Sequence, residues 1–388
     1  MRSLALWMFV AAPALSGENA VVQGNTAFAL ELYRTLGAAD GNLSFSPYSI
    51  SSALAMTWAG ARGRTAREMA ATLHFHPEAD VHSAFEALNR EYATANQPGG
   101  ETAIANGLFV QVGQPLLDGF KALVNARYGA AVERVDFSGD ASRLRINAWV
   151  AERTRNRVTN LLPPRSLPAF TGVAVVNAIF FKGTWQAQFD KKSTSPAQFM
   201  SNGHTFEVPM MRRMMALARY AERDGLQILE LPYQGGDIAM LVFLPRDKSG
   251  IRALESRLDA VRLVQWTWNL QPTAVDVYLP RFRIESHFRL NEPLRKLGIV
   301  TAFRLGAADF SGMTGGPDLC IGAVFHEALV EVNEEGTEAA AGTAVLLRGR
   351  GGPGPTVAEF RADHPFLFAS RDTKSEAILF IGRVVDPR

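Results

Sequence analysis

Residues 173–185, Val-Ala-Val-Val-Asn-Ala-Ile-Phe-Phe-Lys-Gly-Thr-Trp, constrain the fold of this chain more than any other stretch. The run is nearly continuous and apolar, so it predicts a strand covered on both faces. One polar residue, Asn177, interrupts it. A buried amide at that position has to be hydrogen-bonded, because an unsatisfied polar group carries its full desolvation cost.

Other segments supply layers for such a strand. Phe28, Leu30, Leu32 and Leu36 recur at roughly helical spacing behind Asn25, which predicts a helix over 25–36 capped by that Asn. Residues 42–50 read as a short extended piece entering a helix with Pro47 in its first turn. The helix through 52–56 is small and apolar nearly all round and therefore buried, which makes Ser46 and Ser49 buried hydroxyls in need of partners. Further helices are expected over 80–95, 117–127, 142–160 and 290–297, and strands over 103–110, 207–211, 229–233, 237–245, 275–284, 364–368 and 378–385. In the helix over 142–160, Arg143, Arg145, Arg153, Arg155 and Arg157 surround Ile146, Trp149 and Val150, a pattern read as a solvated face. No repeat and no linker divides residues 17–388, so one α+β domain is expected.

Composition excludes several classes of function. A hydrophobic content of 47% supports a large core, and a net charge of +2 gives no reason to expect nucleic acid or an anionic membrane as partner. The single Arg-Gly-Arg-Gly-Gly run lacks the aromatic residues of a nucleic-acid segment. Residues 1–16 hold one arginine, an apolar run over 4–12 and Ala14-Leu15-Ser16, which together read as a short secretory signal peptide and predict a secreted or extracytoplasmic product. No other stretch is apolar for long enough to span a bilayer. The one cysteine, Cys320, excludes an intramolecular disulfide and reads as a small core residue. His74 and His76 are the only close histidine pair, and no zinc, calcium, nucleophile-elbow or phosphate-loop motif occurs. Neither metal, cofactor nor catalysis is therefore expected, and His326 reads as a satisfied core histidine.

A second informative stretch covers residues 334–363. From 337 to 347 every second residue, Thr337, Ala339, Ala341, Thr343, Val345 and Leu347, is small or apolar, the period of one buried strand face. Local propensity does not commit this segment to a sheet, since Ala and Gly are poor strand formers. It is a latent strand. The following Arg348-Gly349-Arg350-Gly351-Gly352-Pro353-Gly354-Pro355 has little to pack and predicts an exposed loop displaying arginine.

Glu334-Glu335-Gly336-Thr337-Glu338-Ala339-Ala340-Ala341 resembles the hinge of inhibitory serpins, a family of serine protease inhibitors. The resemblance extends over about residues 22–387 and implies three β-sheets, eight to nine helices and an exposed reactive-centre loop over 334–363. By the family's hinge-to-bond spacing the scissile bond falls at Arg350-Gly351, with Arg348-Gly349 as the alternative register. The hinge residues are Glu334, Gly336, Thr337, Glu338, Ala339, Ala340 and Ala341. Residues 173–185 are similar to the central serpin strand, which implies that Asn177, Ser46, Ser49 and His326 form a polar cluster beneath the sheet and that Trp185 lies where the loop first enters. The implied partner is a trypsin-like serine protease held in a covalent complex. The implied hazard for this monomer is loop-sheet polymerisation. A non-inhibitory carrier or chaperone, and an inhibitor of cysteine or subtilisin-like proteases, are the alternative functions.

Overall fold

The computed structural model describes residues 17–94, 101–168, 171–317, 319–335 and 357–388. The stretch read as a leader, 1–16, and most of the loop, 336–356, lie outside the described residues.

Helices α1 (Gly17–Leu36), α2 (Pro47–Trp58), α3 (Gly63–Thr72), α4 (Val81–Thr94), α5 (Asp118–Tyr128) and α6 (Ala141–Arg153) come early in the chain. Helices α7 (Ile251–Ser256), α8 (Ala260–Thr267), α9 (Asn291–Leu297) and α10 (Ser311–Thr314) come late. The strands are β1 (Leu43–Phe45), β2 (Glu101–Gln111), β3 (Ala131–Val135), β4 (Val173–Lys182), β5 (Ser195–Ser201), β6 (His204–Arg223), β7 (Leu226–Pro232), β8 (Ile238–Pro245), β9 (Gln271–Pro280), β10 (Phe282–Arg289), β11 (Ile321–Val332), β12 (Ala358–Arg361), β13 (Phe366–Asp372) and β14 (Ile378–Val384).

Among the described residues the strands form two hydrogen-bonded sets. A five-stranded sheet runs in the order β10-β11-β4-β2-β3, and a nine-stranded one in the order β1-β14-β13-β8-β7-β6-β9-β12 with β5 added on β6. Three sheets were expected. The difference comes from β6, whose 20 residues pair in turn with β5, β9 and β7 and so join these strands into one ladder. Helices number ten among the described residues instead of eight or nine, and the shortest, α10, is a single turn closed by Gly315 at φ 83°.

Strand β4 is buried along Val173–Phe181, as its apolar run predicts. On one face Val175, Ile179 and Phe181 join the main core with α1 and α2. On the other Ala174, Val176 and Ala178 pack with Ile146, Trp149 and Val150 of α6 and with Leu161 and Leu162. Helix α2 is buried from Pro47 to Thr57.

Several boundaries differ from expectation, among them the start of α1 and the ends of α6 and β9. Helix α1 begins at Gly17, and Asn25 lies inside it as a buried tie: Nδ2 donates to the Ile378 carbonyl at 3.2 Å and Oδ1 accepts from Ser51 Oγ at 3.1 Å. Helix α6 stops at Arg153 because Thr154 Oγ1 accepts the Val158 N–H at 3.1 Å and Arg155 and Asn156 turn to positive φ. The strand expected over 275–284 breaks after Pro280, so that β9 and β10 belong to different sheets. Among the described residues no helix is long and apolar enough to cross a membrane.

Candidate functional site

The centre of the five-stranded sheet holds two parallel neighbours. β4 and β11 pair from Val173 opposite Ile321 to Phe181 opposite Val330. A segment that turned back after Val332 and entered between them would run antiparallel to both strands. Each side could then exchange its present slanted ladder for an antiparallel one, the slightly stronger pairing.

A polar cluster lies under this seam. Asn177 and His326 are register partners across it. Ser46 caps α2, its extended backbone followed by Pro47 at the first helical position, and its Oγ accepts the Ser49 N–H at 3.2 Å. The Ser46 N–H donates to His326 Nε2 at 3.1 Å. Nε2 is therefore an acceptor, and the ring carries its proton on Nδ1, which donates to Asn177 Oδ1. Asn177 Nδ2 in turn donates to Ser49 Oγ and to Asn106 Oδ1. Ser46, Ser49, Asn177 and His326 are all buried, and the structure brings the four together. Burial pushes the His326 imidazole down to about 3, so it is neutral.

Asn106 was missed by sequence reasoning. It sits on β2 opposite Asn177, and its signal was present: it is the one polar side chain in the run 103–110. With it, β2, β4, β11 and the start of α2 are all tied to one amide. Separating β4 from β11 breaks the bond between His326 and Asn177.

The end of the seam is held by a second set of contacts. Trp185 stacks on Tyr233 with ring centroids 4.5 Å apart and planes 10° from parallel, and its Nε1 donates to the Asn333 carbonyl at 2.9 Å. Gly183 permits this approach, since a Cβ there would stand 2.4 Å from the Tyr233 ring. Asn333 Nδ2 donates to Glu331 Oε1 at 3.0 Å, and Asn333 Oδ1 accepts the Glu335 N–H at 3.0 Å. Glu334 is buried, accepts a hydrogen bond from Thr194 Oγ1 and pairs with Arg281. Burial alone would raise its carboxyl, but Arg281 and Thr194 hold it below the usual carboxylate range. Glu335 pairs with Lys191 at the surface.

Gly336, Thr337, Glu338, Ala339, Ala340, Ala341, Arg348, Gly349, Arg350 and Gly351 lie outside the described residues. The chain resumes at Val357, and β12 pairs in parallel with β9 of the nine-stranded sheet, with Phe360 buried. Residues 336–356 thus join the end of one sheet to the edge strand of the other. Cys320 is half-buried, and burial pushes its thiol up, away from the reactive thiolate.

Known proteins are similar to this chain along nearly its whole length. Residues 23–387 match the family model described as Serpin (serine protease inhibitor). Serpin B3 of Homo sapiens is 37% identical, with 95% of this chain and 100% of that protein covered. Leukocyte elastase inhibitor A of Rattus norvegicus is 39% identical, with 94% and 98% covered. Among solved structures, uncleaved ovalbumin superposes with a TM-score of 0.87 at 31% identity, covering 95% of this chain and 100% of that one.

Proposed function

This chain belongs to the serpin family of serine protease inhibitors, and from that premise we propose that it is a suicide-substrate inhibitor of trypsin-like endopeptidases, cleaved at Arg350-Gly351. The observation that carries the reading is the parallel β4–β11 seam, with β11 running on through Asn333 into the hinge at Glu334. An inserted strand has a place to go, and the segment beginning at Thr337 has the alternating small side chains to fill it.

A trypsin-like protease accepts Arg350 because a carboxylate in its specificity pocket pairs with the guanidinium. The protease serine attacks the Arg350 carbonyl carbon and loses its proton to the catalytic histidine. The bond to Gly351 breaks, the Gly351 nitrogen takes that proton, and an ester links Arg350 to the protease. Cleavage frees residues 337–347 to enter between β4 and β11. The protease is carried along and its oxyanion hole distorted, so that water no longer cleaves the ester. Insertion and deacylation compete, and about 1.4 kcal/mol added to the insertion barrier shifts the outcome about tenfold toward release.

The names of the relatives support inhibition as the activity, among them a leukocyte elastase inhibitor. The choice of a trypsin-like target rests on Arg350, with Arg348 as the alternative register. The test is active-site titration of trypsin with increasing amounts of this protein. Activity should fall to zero near equimolar addition, and the variant Arg350→Ala should lose that effect. Full trypsin activity at a large excess of intact protein would overturn the reading.

A further inference from the structure

Glu285, His287 and Glu327 bring their donor atoms within 4.8 Å of one another, and we propose that they form a binding site for a divalent transition cation of the zinc type. The placement follows from strand geometry. Glu285 and His287 are two apart on β10 and share a face, while His287 is the register partner of Glu327 on β11. No local motif announces such a site, because its third ligand comes from a different strand.

Glu327 is the reason to expect an ion. It is 1% exposed, and its Oε2, although 2.9 Å from His287 Nδ1, has no aligned hydrogen-bond donor. Ala178, its partner on β4, offers no polar group. A buried carboxylate oxygen lacking a donor is costly, and a bound cation removes that cost. His287 and Glu285 have side chains 51% and 42% exposed, which leaves an entry path from solvent. Glu285 Oε1 lies 3.3 Å from His287 Nε2, and its Oε2 is 3.3 Å from Arg283 Nη2. Arg283 is itself 56% exposed and can swing away when Glu285 turns.

One imidazole nitrogen and two carboxylates suit zinc, which takes nitrogen and oxygen donors at about 2.0–2.2 Å, so that neighbouring donors in a tetrahedral site stand about 3.3 Å apart. The present separation of 2.9 Å between His287 Nδ1 and Glu327 Oε2 needs little adjustment. The ion lies between these two atoms, Glu285 rotates to provide the third ligand and water takes the fourth position. Magnesium, which prefers an all-oxygen octahedron, fits this set poorly. Bound there, zinc clamps β10 to β11, the strand on one side of the seam.

The test is calorimetric titration of the full chain with Zn²⁺, comparing the wild-type protein with His287→Ala and Glu327→Gln. Wild type should bind one ion that excess Mg²⁺ does not displace, and each substitution should weaken binding by about tenfold or more. Melting with and without Zn²⁺ gives a second readout, since the wild-type Tm should rise and those of the variants should not. If Glu327→Gln fails to fold, His287→Ala decides, because the residue is half-exposed and its loss leaves the core intact. Absence of Zn²⁺ binding by wild type, or binding unchanged in His287→Ala, would overturn the proposal.

Discussion

Ser46 donates its backbone N–H to Nε2 of His326 at 3.1 Å, and that bond makes the ring a neutral acceptor at the centre of the sheet. A proton added at Nε2 would face the Ser46 N–H directly. The folded imidazole titrates at about 3, against about 6.5 in an unfolded chain. Between those values the unfolded state binds more protons, so the stability this group contributes is complete above pH 6.5 and is lost as pH falls toward 3. One proton corresponds to at most about 1.4 kcal/mol per pH unit in that window. Tm measured from pH 7 to pH 5 should therefore fall less steeply for His326→Gln than for wild type, and parallel slopes would contradict the neutral-acceptor assignment.

Asn177 is the hub of the same cluster. Replacing it with Ala leaves the His326 Nδ1–H without its acceptor and Ser49 and Asn106 without their donor, at a cost of about 1–3 kcal/mol for the unpaired groups. The loosened seam exposes strand edges to which another molecule's loop can add. Asn177→Ala should melt at lower temperature and form polymers on mild heating, visible on a native gel. Unchanged melting without polymers would separate the cluster from control of the seam.

Much of this site could be read from the chain, and the reasons are local. Asn177 stood out because its neighbours in β4 are apolar, and Pro47 behind Ser46 marked the start of α2. Asn25 misled because capping and tertiary tying use the same side chain: a buried Asn inside α1 bonds to Ile378 and Ser51, elements far away in sequence. The end of α6 was invisible for a similar reason, since Thr154 closes the helix by accepting a hydrogen bond from a residue beyond it. Asn106 was marked as the one polar residue of its run, but its pairing with Asn177, like that of Glu327 with His287, depends on register, which no local pattern encodes.

Glu334 and Arg281 give a prediction about the start of the hinge. Glu334 is buried, and Arg281→Ala would remove the cation that pairs with its carboxylate, leaving Thr194 Oγ1 and its own backbone N–H as donors. The expected loss is about 2 kcal/mol, below that of a fully buried pair because Arg281 is 42% exposed. In urea, Arg281→Ala should lower the unfolding midpoint, and Glu334→Gln combined with it should cost less than the sum of the two single changes. Strict additivity would mean that the pair carries no coupling.

Thr337 begins the alternating face that insertion is proposed to bury. Thr337→Arg would place a charge in the seam without a partner and slow insertion by several kcal/mol. At about 1.4 kcal/mol per tenfold change, deacylation then wins. This variant should be cut by trypsin as an ordinary substrate, releasing active enzyme. Stable complex formed by Thr337→Arg would refute the assignment of 337 to the inserted strand.

The most direct test is to mix the protein with trypsin, separate the products on a denaturing gel and identify the released carboxy-terminal peptide by mass spectrometry. A band that survives denaturation at the combined mass of trypsin and the cleaved chain, together with a peptide beginning at Gly351, is the predicted result. Complete cleavage at Arg350-Gly351 with no such band and with trypsin fully active would contradict the account.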